Sequence, residues 1–318
     1  MTVPAADVRS GRALVIGETL VDAVHRADGT TSRHPGGAAA NVALGLARLG
    51  HPVVLATHIG PDDDGRTLRA PLEAAGVTIA EVHRSPSCPS HVAHAVLDAD
   101  GAATYAFDVD WDVRPTLDPL RPPALVHTGC LGTLLLPGAD AVLETVQRAP
   151  EASFVSYDVN MRPAAVDDAP RTVDRVEAFV AASDLVKASD EDLAWLYPSV
   201  EPAEVAAAWS TSGRAVVLTR GQEGATLFVD GHTEHAPARR VRVADTIGAG
   251  DAFCAAFLSF LWRQDALGHR PRHVPTWRAA LHHAVAAAAL TVSRPGADPP
   301  TSEDLDRFRR AAPERLRG

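Results

Sequence analysis

Lysine is almost absent from this sequence, cysteine is scarce and long apolar runs are missing. Lys187 is the only lysine among 30 basic Lys and Arg residues. Cys88, Cys130 and Cys254 are widely spaced and form no Cys-x-x-Cys pair, which favours neither a disulfide framework nor a zinc knuckle and fits a reducing compartment. The longest apolar run, from Ala284 to Val292, is too short to span a bilayer.

The chain is acidic and rich enough in apolar residues to fold as a globular protein. Its 318 residues carry a formal net charge of -10 and are 46% hydrophobic. Nucleic-acid-binding faces concentrate Lys and Arg, so we expect small solutes rather than nucleic acid as partners. The first residues contain no basic segment followed by an apolar stretch, and we therefore expect a cytoplasmic protein with no membrane partner.

Short apolar runs alternate with helical patterns along most of the chain. This alternation predicts an α/β fold with a doubly wound, mostly parallel central sheet and helices on both faces. Polar residues at the carboxyl ends of such strands gather where ligands bind. The predicted strands are Ala13–Gly17, Val53–Ala56, Leu125–His127, Phe154–Tyr157, Leu185–Lys187 and Ala215–Thr219.

Two segments have the pattern of β-hairpins instead. One turns at Ala27-Asp28-Gly29 and the other at Asp98-Ala99-Asp100-Gly101, and both turns favour antiparallel pairing. We expect them to form one small β-sheet lid, inserted at 18–36 and 91–111. Because no repeat or long linker interrupts the sequence, we expect a single domain over 1–318.

The most informative stretch is the glycine-rich loop from Asp245 to Phe253, which leads into an apolar helical segment. The small residues Gly248, Ala249 and Gly250 allow successive backbone N–H groups to face one anion, and the following helix adds its positive dipole end. Asp251 would place a carboxylate beside a bound phosphate, where it could accept a proton from an attacking hydroxyl. An ordinary strand-to-helix turn, with Asp251 stabilising the dipole, is the alternative.

A second glycine-rich element, from Gly36 to Ala43, also precedes a helix. Its Asn41 amide can donate and accept hydrogen bonds, which suits binding of hydroxyl groups. Close packing at a helix start is the alternative. No Walker A loop is present, so phosphate would not be held as in P-loop enzymes.

Together these two elements resemble the signatures of the ribokinase-like carbohydrate kinases, a family that includes fructokinases, ketodeoxygluconate kinases and adenosine kinases. The first signature is Gly36–Asn41, with Leu49-Gly50 and Ile59–Gly65 downstream; the second is Asp245–Phe253. The resemblance extends from about Leu14 to Asp298. It implies an ATP-dependent kinase that phosphorylates a hydroxyl of a small sugar.

The resemblance also implies roles for individual residues on the acceptor side. Asp251 is the expected catalytic base, and the backbone of Gly248, Ala249 and Gly250 is the expected anion hole. Arg162 comes from the stretch Asp158-Val159-Asn160-Met161-Arg162 and would supply a donor near the phosphate or the sugar. The expected sugar contacts are Asp22, Gly36, Gly37, Asn41 and Arg162.

On the nucleotide side, the resemblance implies that residues 185–298 form the ATP-binding part. Asp192 would hold Mg²⁺ through water, although Ser189-x-x-Asp192 stands where the family commonly has Asn-x-x-Glu. Asp245 would border a K⁺ site together with the turn Ser293–Ala297. The expected nucleotide contacts are Lys187, Ser189, Thr219, Gly221, Gly224 and His283.

The acceptor is less well defined by sequence. Gly17-Glu18 and Asp158–Arg162 resemble the fructokinase and 2-keto-3-deoxygluconate kinase branch, which favours fructose or a related keto-sugar. A ribokinase, a nucleoside kinase and a non-catalytic sugar sensor remain alternatives. Tyr105, Phe107 and Trp111 of the lid could pack over the apolar face of the sugar; packing within the lid core or at a dimer contact is the alternative. We expect a homodimer that forms through the lid.

Overall fold

The computed structural model describes residues 11–97, 103–118, 120–166, 168–211, 213–267 and 273–310. The predicted turn Asp98–Gly101 lies outside these ranges. The strands are β1 (Ala13–Ile16), β2 (Leu20–His25), β3 (Thr31–Gly36), β4 (Val53–Thr57), β5 (Thr78–Glu81), β6 (His91–Leu97), β7 (Ala103–Asp108), β8 (Leu125–Gly129), β9 (Phe154–Asp158), β10 (Leu185–Ser189), β11 (Ala215–Thr219), β12 (Ala225–Val229) and β13 (His232–Ala236). The helices are α1 (Ala38–Arg48), α2 (Asp63–Ala74), α3 (Leu131–Leu134), α4 (Gly138–Gln147), α5 (Ala169–Ala181), α6 (Asp190–Leu196), α7 (Pro202–Trp209), α8 (Ala249–Arg263), α9 (Val274–Val292) and α10 (Ser302–Arg310).

Within the described residues, nine strands form the central sheet, in the order β13-β12-β11-β10-β9-β8-β1-β4-β5. All neighbouring pairs from β11 to β5 are parallel. At the other edge, β12 pairs antiparallel with both β11 and β13. The central strands of the parallel part, β1, β8, β9 and β10, are almost entirely buried, as their continuous apolar runs predict, whereas the edge strand β5 is partly exposed. This confirms the predicted mostly parallel sheet.

Helices cover both faces of this sheet, which confirms the doubly wound arrangement. One apolar cluster packs α1, α2, α8 and α9 against the sheet and includes Leu46, Phe257 and Leu281. The other packs α4, α5, α6 and α7 on the opposite face and includes Val142 and Phe179. Among the helices that the structure describes, none is long and apolar enough to cross a membrane.

The four remaining strands form the lid sheet, in the order β3-β2-β6-β7. The two predicted hairpins, β2–β3 and β6–β7, are antiparallel. They join through a parallel pair, β2 with β6, in which Leu20 lies opposite His91 and Asp22 opposite Ala93. The hairpins therefore form a single accessory sheet, as the sequence predicts.

Candidate active site

The glycine-rich loop begins α8 with a backbone that only glycine adopts easily. Gly248 has φ 74° and lies immediately before the first helical residue. A Cβ added there would lie 2.7 Å from Cβ of Ala297, so both the backbone and the packing require glycine. The first N–H groups of a helix have no partner within the helix. Those of Gly250 and Asp251 are therefore available to an anion.

Asp251, in the first turn of α8, is buried and hydrogen-bonded to Asn41 of α1. Nδ2 of Asn41 donates to Oδ2 of Asp251 at 2.8 Å, although the two residues are separated by 210 positions. Burial raises the pKa of Asp251 to about 7, while the hydrogen bond from Asn41 opposes the rise. A carboxylate with such a pKa can accept a proton near neutral pH. The structure thus brings together the two glycine-rich elements singled out in the sequence.

Next to the loop lies a buried ion pair that sequence reasoning missed. Nζ of Lys187 donates to both carboxylate oxygens of Asp158 at 2.9 Å. Burial alone would lower the pKa of Lys187, but the Asp158 carboxylate outweighs it and holds the pKa above its ordinary value. A Cβ added at Gly250 would lie 3.3 Å from Nζ. The predicted nucleotide residue Lys187 is therefore beside the anion loop, with its ammonium already bound by Asp158.

The acceptor side is built by β2, β3 and the start of α1. A Cβ added at Gly36 would lie 2.1 Å from Oδ2 of Asp22, so glycine makes the space that this carboxylate occupies. Burial raises the pKa of Asp22, and Arg162 and His34 oppose the rise. Gly37 has φ 105°, and a Cβ there would lie 2.5 Å from the Glu18 carbonyl. Asp22, Gly36, Gly37 and Arg162 thus share one region.

A further residue of this region, Glu18, was noted in the sequence only for its resemblance to one branch. Its side chain is buried, with Oε1 accepting from the Ala38 N–H at 3.1 Å and Oε2 from the Gly132 N–H at 3.0 Å. The carboxylate thereby holds the starts of α1 and α3 together. Asn41 lies in the first turn of α1, so Glu18 indirectly positions the amide. A single glutamate after a strand gives no sequence signal for this role.

Ser189 and Asp192 form a capping box at the start of α6. Oγ of Ser189 accepts from the Asp192 N–H at 3.0 Å, and Oδ2 of Asp192 accepts from the Ser189 N–H at 2.8 Å. Oδ1 of Asp192 accepts from the Met161 N–H at 2.7 Å, which fixes the backbone next to Arg162. Each Asp192 oxygen retains a lone pair that could accept a hydrogen from metal-bound water. The role of Asp192 in holding Mg²⁺ stays a prediction.

The predicted nucleotide turn follows β11. Oγ1 of Thr219 donates to the Ala188 carbonyl at 3.4 Å, and Gly221 and Gly224 have φ 43° and 100°. A Cβ at Gly224 would lie 2.1 Å from the Ala236 carbonyl, whereas one at Gly221 would meet nothing within 4 Å. Gly224 is therefore required by packing against β13, and Gly221 faces open space.

His283 lies elsewhere. Its ring is 5.3 Å from that of Phe260, and its pKa is lowered to about 4, first by burial and then by Arg309 and Arg263. These neighbours belong to α8 and α10. Among the described contacts of His283 none involves the Thr219–Gly224 turn, so the structure does not join it to the other predicted nucleotide residues.

Asp245 closes the anion loop on itself and on the following turn. Oδ1 accepts from the Ile247 N–H at 3.0 Å, and Oδ2 accepts from the Gly296 N–H at 2.9 Å. The predicted partnership between Asp245 and the turn Ser293–Ala297 is thus present as a hydrogen bond. Its role at a K⁺ site stays a prediction.

The lid aromatics divide between the core and the surface. Trp111 is buried and donates from Nε1 to the Gly132 carbonyl at 3.0 Å, so it belongs to the protein core. Tyr105 is 54% exposed. Phe107 is half-buried and packs against Leu20, Ala93 and Leu131. Tyr105 is therefore the most exposed of the three lid aromatics.

The family model described as pfkB family carbohydrate kinase matches residues 11–304. The chain belongs to this family of carbohydrate kinases. A fructokinase of Rhizobium leguminosarum bv. trifolii is 33% identical over 269 residues, covering 81% of this chain and 82% of that one. An aminoimidazole riboside kinase of Salmonella typhimurium is 30% identical over 290 residues, covering 89% of each. The protein is an ATP-dependent sugar kinase.

Solved structures of kinases have the same fold. Aminoimidazole riboside kinase from Salmonella enterica, complexed with aminoimidazole riboside and an ATP analog, has a TM-score of 0.76 at 25% identity and covers 93% of this chain and 99% of that one. Fructokinase from Vibrio cholerae O395, a double mutant in fructose, ADP and potassium ion bound form, has a TM-score of 0.76 at 24% identity and covers 94% and 98%. The second likeness concerns the fold alone.

Proposed function

We propose that this kinase transfers the γ-phosphate of ATP to a hydroxyl of fructose or a closely related keto-sugar. One observation carries the proposal: Asn41 of the polyol-type element donates to Asp251 of the anion loop at 2.8 Å. This contact supports a site in which an amide that suits hydroxyl recognition and a proton acceptor would lie beside a bound phosphate. The 33% identity to a fructokinase supports the choice of sugar.

The acceptor would bind between Asp22, Asn41 and the backbone of Gly36 and Gly37. A buried carboxylate such as Asp22 accepts hydrogen bonds from two hydroxyls, and its desolvation disfavours analogues that leave it unpaired. Arg162 would supply a fixed donor on the same side, since its charge opposes the burial-driven rise in the pKa of Asp22.

In the chemical step, Asp251 would take the proton of the acceptor hydroxyl as that oxygen attacks the γ-phosphorus. The bond between the γ-phosphorus and its bridging oxygen breaks, and ADP leaves. Gly248, Ala249 and Gly250, with the unpaired N–H groups at the start of α8, would stabilise the charge on the phosphoryl oxygens.

ATP would lie along the 185–298 part of the chain, with Thr219, Gly221 and Gly224 against the nucleotide and Lys187 and Ser189 near its phosphates. Support comes from the open space at Gly221 and the 3.3 Å between Nζ of Lys187 and a Cβ placed on Gly250. His283 has no such support.

Mg²⁺ and K⁺ belong to the same proposal. Bound Mg²⁺ would neutralise phosphate charge, and Asp192 fits a role through water because its oxygens keep one lone pair each. Asp245 already joins its loop to the Gly296 turn, which is where a K⁺ site would form. Comparing rates in K⁺ and Na⁺ salts at equal ionic strength tests the second ion.

We also propose that the chain acts as one domain whose lid sheet mediates a homodimer. The edge strands β3 and β7 of that sheet and the exposed Val96 and Tyr105 support such a contact. Sedimentation equilibrium at micromolar concentration should give twice the chain mass. A monomer under those conditions would contradict the dimer.

A cytoplasmic location completes the proposal. Cys88, Cys130 and Cys254 are all free and buried, which suits a reducing compartment that also supplies ATP. Fractionation of cells producing the tagged chain tests it.

An ADP-release assay with Mg-ATP over fructose, tagatose, ribose, ketodeoxygluconate and aminoimidazole riboside tests the acceptor. Fructose should have the highest kcat/KM. The 30% identity to an aminoimidazole riboside kinase makes the riboside the second candidate, and a higher kcat/KM for it would replace fructose as the acceptor.

Asp251→Asn should lower kcat by a factor of about 10² to 10⁴ while preserving sugar binding in calorimetry.

A further inference from the structure

A cluster of histidines and one cysteine lies at the root of the lid sheet, where the central sheet passes into it. His58 follows β4 of the central sheet, Cys88 lies in the loop between β5 and β6, and His91 is the first residue of β6. One potential ligand atom from each of these three residues lies within 4.8 Å of the other two. The exposed fractions are 2% for both histidines and 9% for Cys88.

The hydrogen bonds of the two imidazoles indicate which ring nitrogens carry protons. Nε2 of His58 is 3.0 Å from the Cys88 carbonyl, and Nε2 of His91 is 2.9 Å from the Asp110 carbonyl. A carbonyl oxygen only accepts, so each Nε2 must carry the hydrogen. In the neutral ring, Nδ1 then has a free lone pair.

Both Nδ1 atoms are buried and, within the part of the chain that the structure describes, neither has a hydrogen-bond partner. A buried acceptor without a donor is unfavourable, because burial removes its hydrogen bonds to water. Two such acceptors beside a buried thiol require an explanation. Histidines that bind metals characteristically donate their other ring N–H to a backbone carbonyl, as both do here.

Protonation of His58 is the competing explanation. Its Nδ1 is 3.6 Å from Oε2 of Glu81, and although burial lowers its pKa, Glu81 and the Cys88 carbonyl produce a net rise. However, 3.6 Å is too long for a hydrogen bond, so Glu81 does not pair with Nδ1 of His58. Protonation of His58 would also leave the buried Nδ1 of His91 without a partner among the described residues.

We propose that His58, Cys88 and His91 form a binding site for a thiophilic divalent cation of the Zn²⁺ type, the histidines binding through Nδ1. One thiolate and two imidazoles are the donors that Zn²⁺ prefers. Binding replaces the proton of the Cys88 thiol, so each Zn²⁺ bound releases one H⁺ to solvent. Water or Asp110, whose Oδ2 is 4.0 Å from Sγ of Cys88, completes the tetrahedron.

The site would join both ends of the β6–β7 hairpin to the central sheet. His58 follows β4 of the central sheet, His91 begins β6, and Asp110 follows β7. Hydrogen bonds already connect α2 to the segment before β6 at this place. The side chain of Asp62, the N-cap of α2, accepts from the N–H of Ser90 at 2.8 Å and from its Oγ at 2.7 Å. A cation here would hold the root of the lid, only two residues along the sheet from the Asp22 pair with Ala93.

Cobalt spectroscopy on the full chain tests the site directly. The protein is treated with chelator, dialysed and titrated with Co²⁺. We expect one equivalent per chain, with a thiolate-to-cobalt charge-transfer band and the intense visible bands of tetrahedral Co²⁺, all removed by added Zn²⁺. Wild-type protein that shows no thiolate band with Co²⁺ would overturn the proposal, and no variant is needed for that result.

Variants then assign the ligands. Cys88→Ser should remove the charge-transfer band, and His91→Gln should weaken Co²⁺ binding at least tenfold. His94→Gln is the matched control, because His94 lies three residues along β6 and pairs with His25 at 2.9 Å outside the cluster. Its titration should equal that of the wild type; an equal loss in His94→Gln and His91→Gln would contradict the assignment. Zn²⁺ should raise the Tm of the wild type by several degrees but not that of Cys88→Ser.

Discussion

Nδ2 of Asn41 donates to Oδ2 of Asp251 at 2.8 Å, and this bond joins the start of α1 to the start of α8. The two helices follow the two glycine-rich elements, which lie at opposite ends of the sequence. Asn41 donates to the charged form of Asp251, so the bond favours the carboxylate that a proton acceptor must be. In the proposed mechanism, one amide would therefore couple sugar recognition to the strength of the base.

The first prediction concerns the pH dependence of the rate. Asp251 must be deprotonated to accept a proton, and burial raises its pKa to about 7. We therefore expect kcat/KM for the sugar, at saturating Mg-ATP, to fall about tenfold per unit below pH 7. Initial rates between pH 5.5 and 8.5 measure it. A profile that is flat across this range would contradict the assignment of Asp251 as base.

Asn41→Ala should shift the acidic limb of this profile, the pH range in which kcat/KM falls. Without the donated hydrogen bond, the charged form of Asp251 loses stabilisation and its pKa rises, by roughly one unit if the bond contributes about 1.4 kcal/mol. The limb should shift to higher pH by the same amount, and KM for the sugar should rise as well. An increase in KM with an unmoved limb would mean that Asn41 binds sugar without tuning Asp251.

Asp251→Asn should change how stability depends on pH. The ordinary pKa of the carboxyl is 3.8, and the folded value is about 7. Between these values the folded protein keeps a proton that the unfolded chain has lost, so the free energy of unfolding falls as pH rises through this window. The Asn variant lacks this loss.

We expect its Tm to exceed that of the wild type at pH 8 and to approach it at pH 5. Thermal unfolding at several pH values measures the difference. A constant gap between the two proteins would show that the carboxyl does not titrate in this window.

The sequence predicts the fold well because its signals are local. Continuous apolar strands between helical stretches indicate a parallel sheet, and the turn at Ala27–Gly29 indicates a hairpin. The loop at Gly248–Gly250 and Asp251 also carries its chemistry within a few residues. Each of these features depends on neighbours in the chain, which a single sequence displays.

Contacts between distant segments could not be predicted in this way. Lys187 and Asp158 lie opposite each other on neighbouring parallel strands, but parallel register depends on crossover helices and leaves no mark in the spacing. The sequence suggests that Asp192 holds metal-bound water, because it is a carboxylate at that position of the motif. An aspartate three residues after a serine also fits a capping box, which is the contact that the structure shows. The cluster around Cys88 could not be predicted either, because Cys88 has no Cys-x-x-Cys partner and the neighbouring histidines belong to separate segments of the chain.

Lys187→Met should destabilise the fold strongly, because it leaves the Asp158 carboxylate buried without a partner. Breaking a buried pair in this way costs about 3–5 kcal/mol. Arg148→Met is the matched control: Arg148 pairs with Glu144 at 2.7 Å on the surface, where such pairs contribute less than about 1 kcal/mol. Denaturant unfolding measures both.

The same variant tests the proposed contact of Lys187 with phosphate. A contact requires KM for ATP to rise in Lys187→Met. A variant that loses stability but keeps the KM for ATP would leave Lys187 with the ion pair alone.

Gly36→Ala should weaken sugar binding by displacing the Asp22 carboxylate. Its backbone is ordinary for any residue, but an added Cβ would lie 2.1 Å from Oδ2 of Asp22, and the carboxylate must turn away. We expect KM for the sugar to rise at least tenfold, with kcat changed little because Asp251 and the anion loop are untouched. Gly213→Ala, where an added Cβ meets nothing within 4 Å, should match the wild type. An unchanged KM in Gly36→Ala would remove Asp22 from the sugar site, since a displaced carboxylate cannot accept the hydroxyls assigned to it.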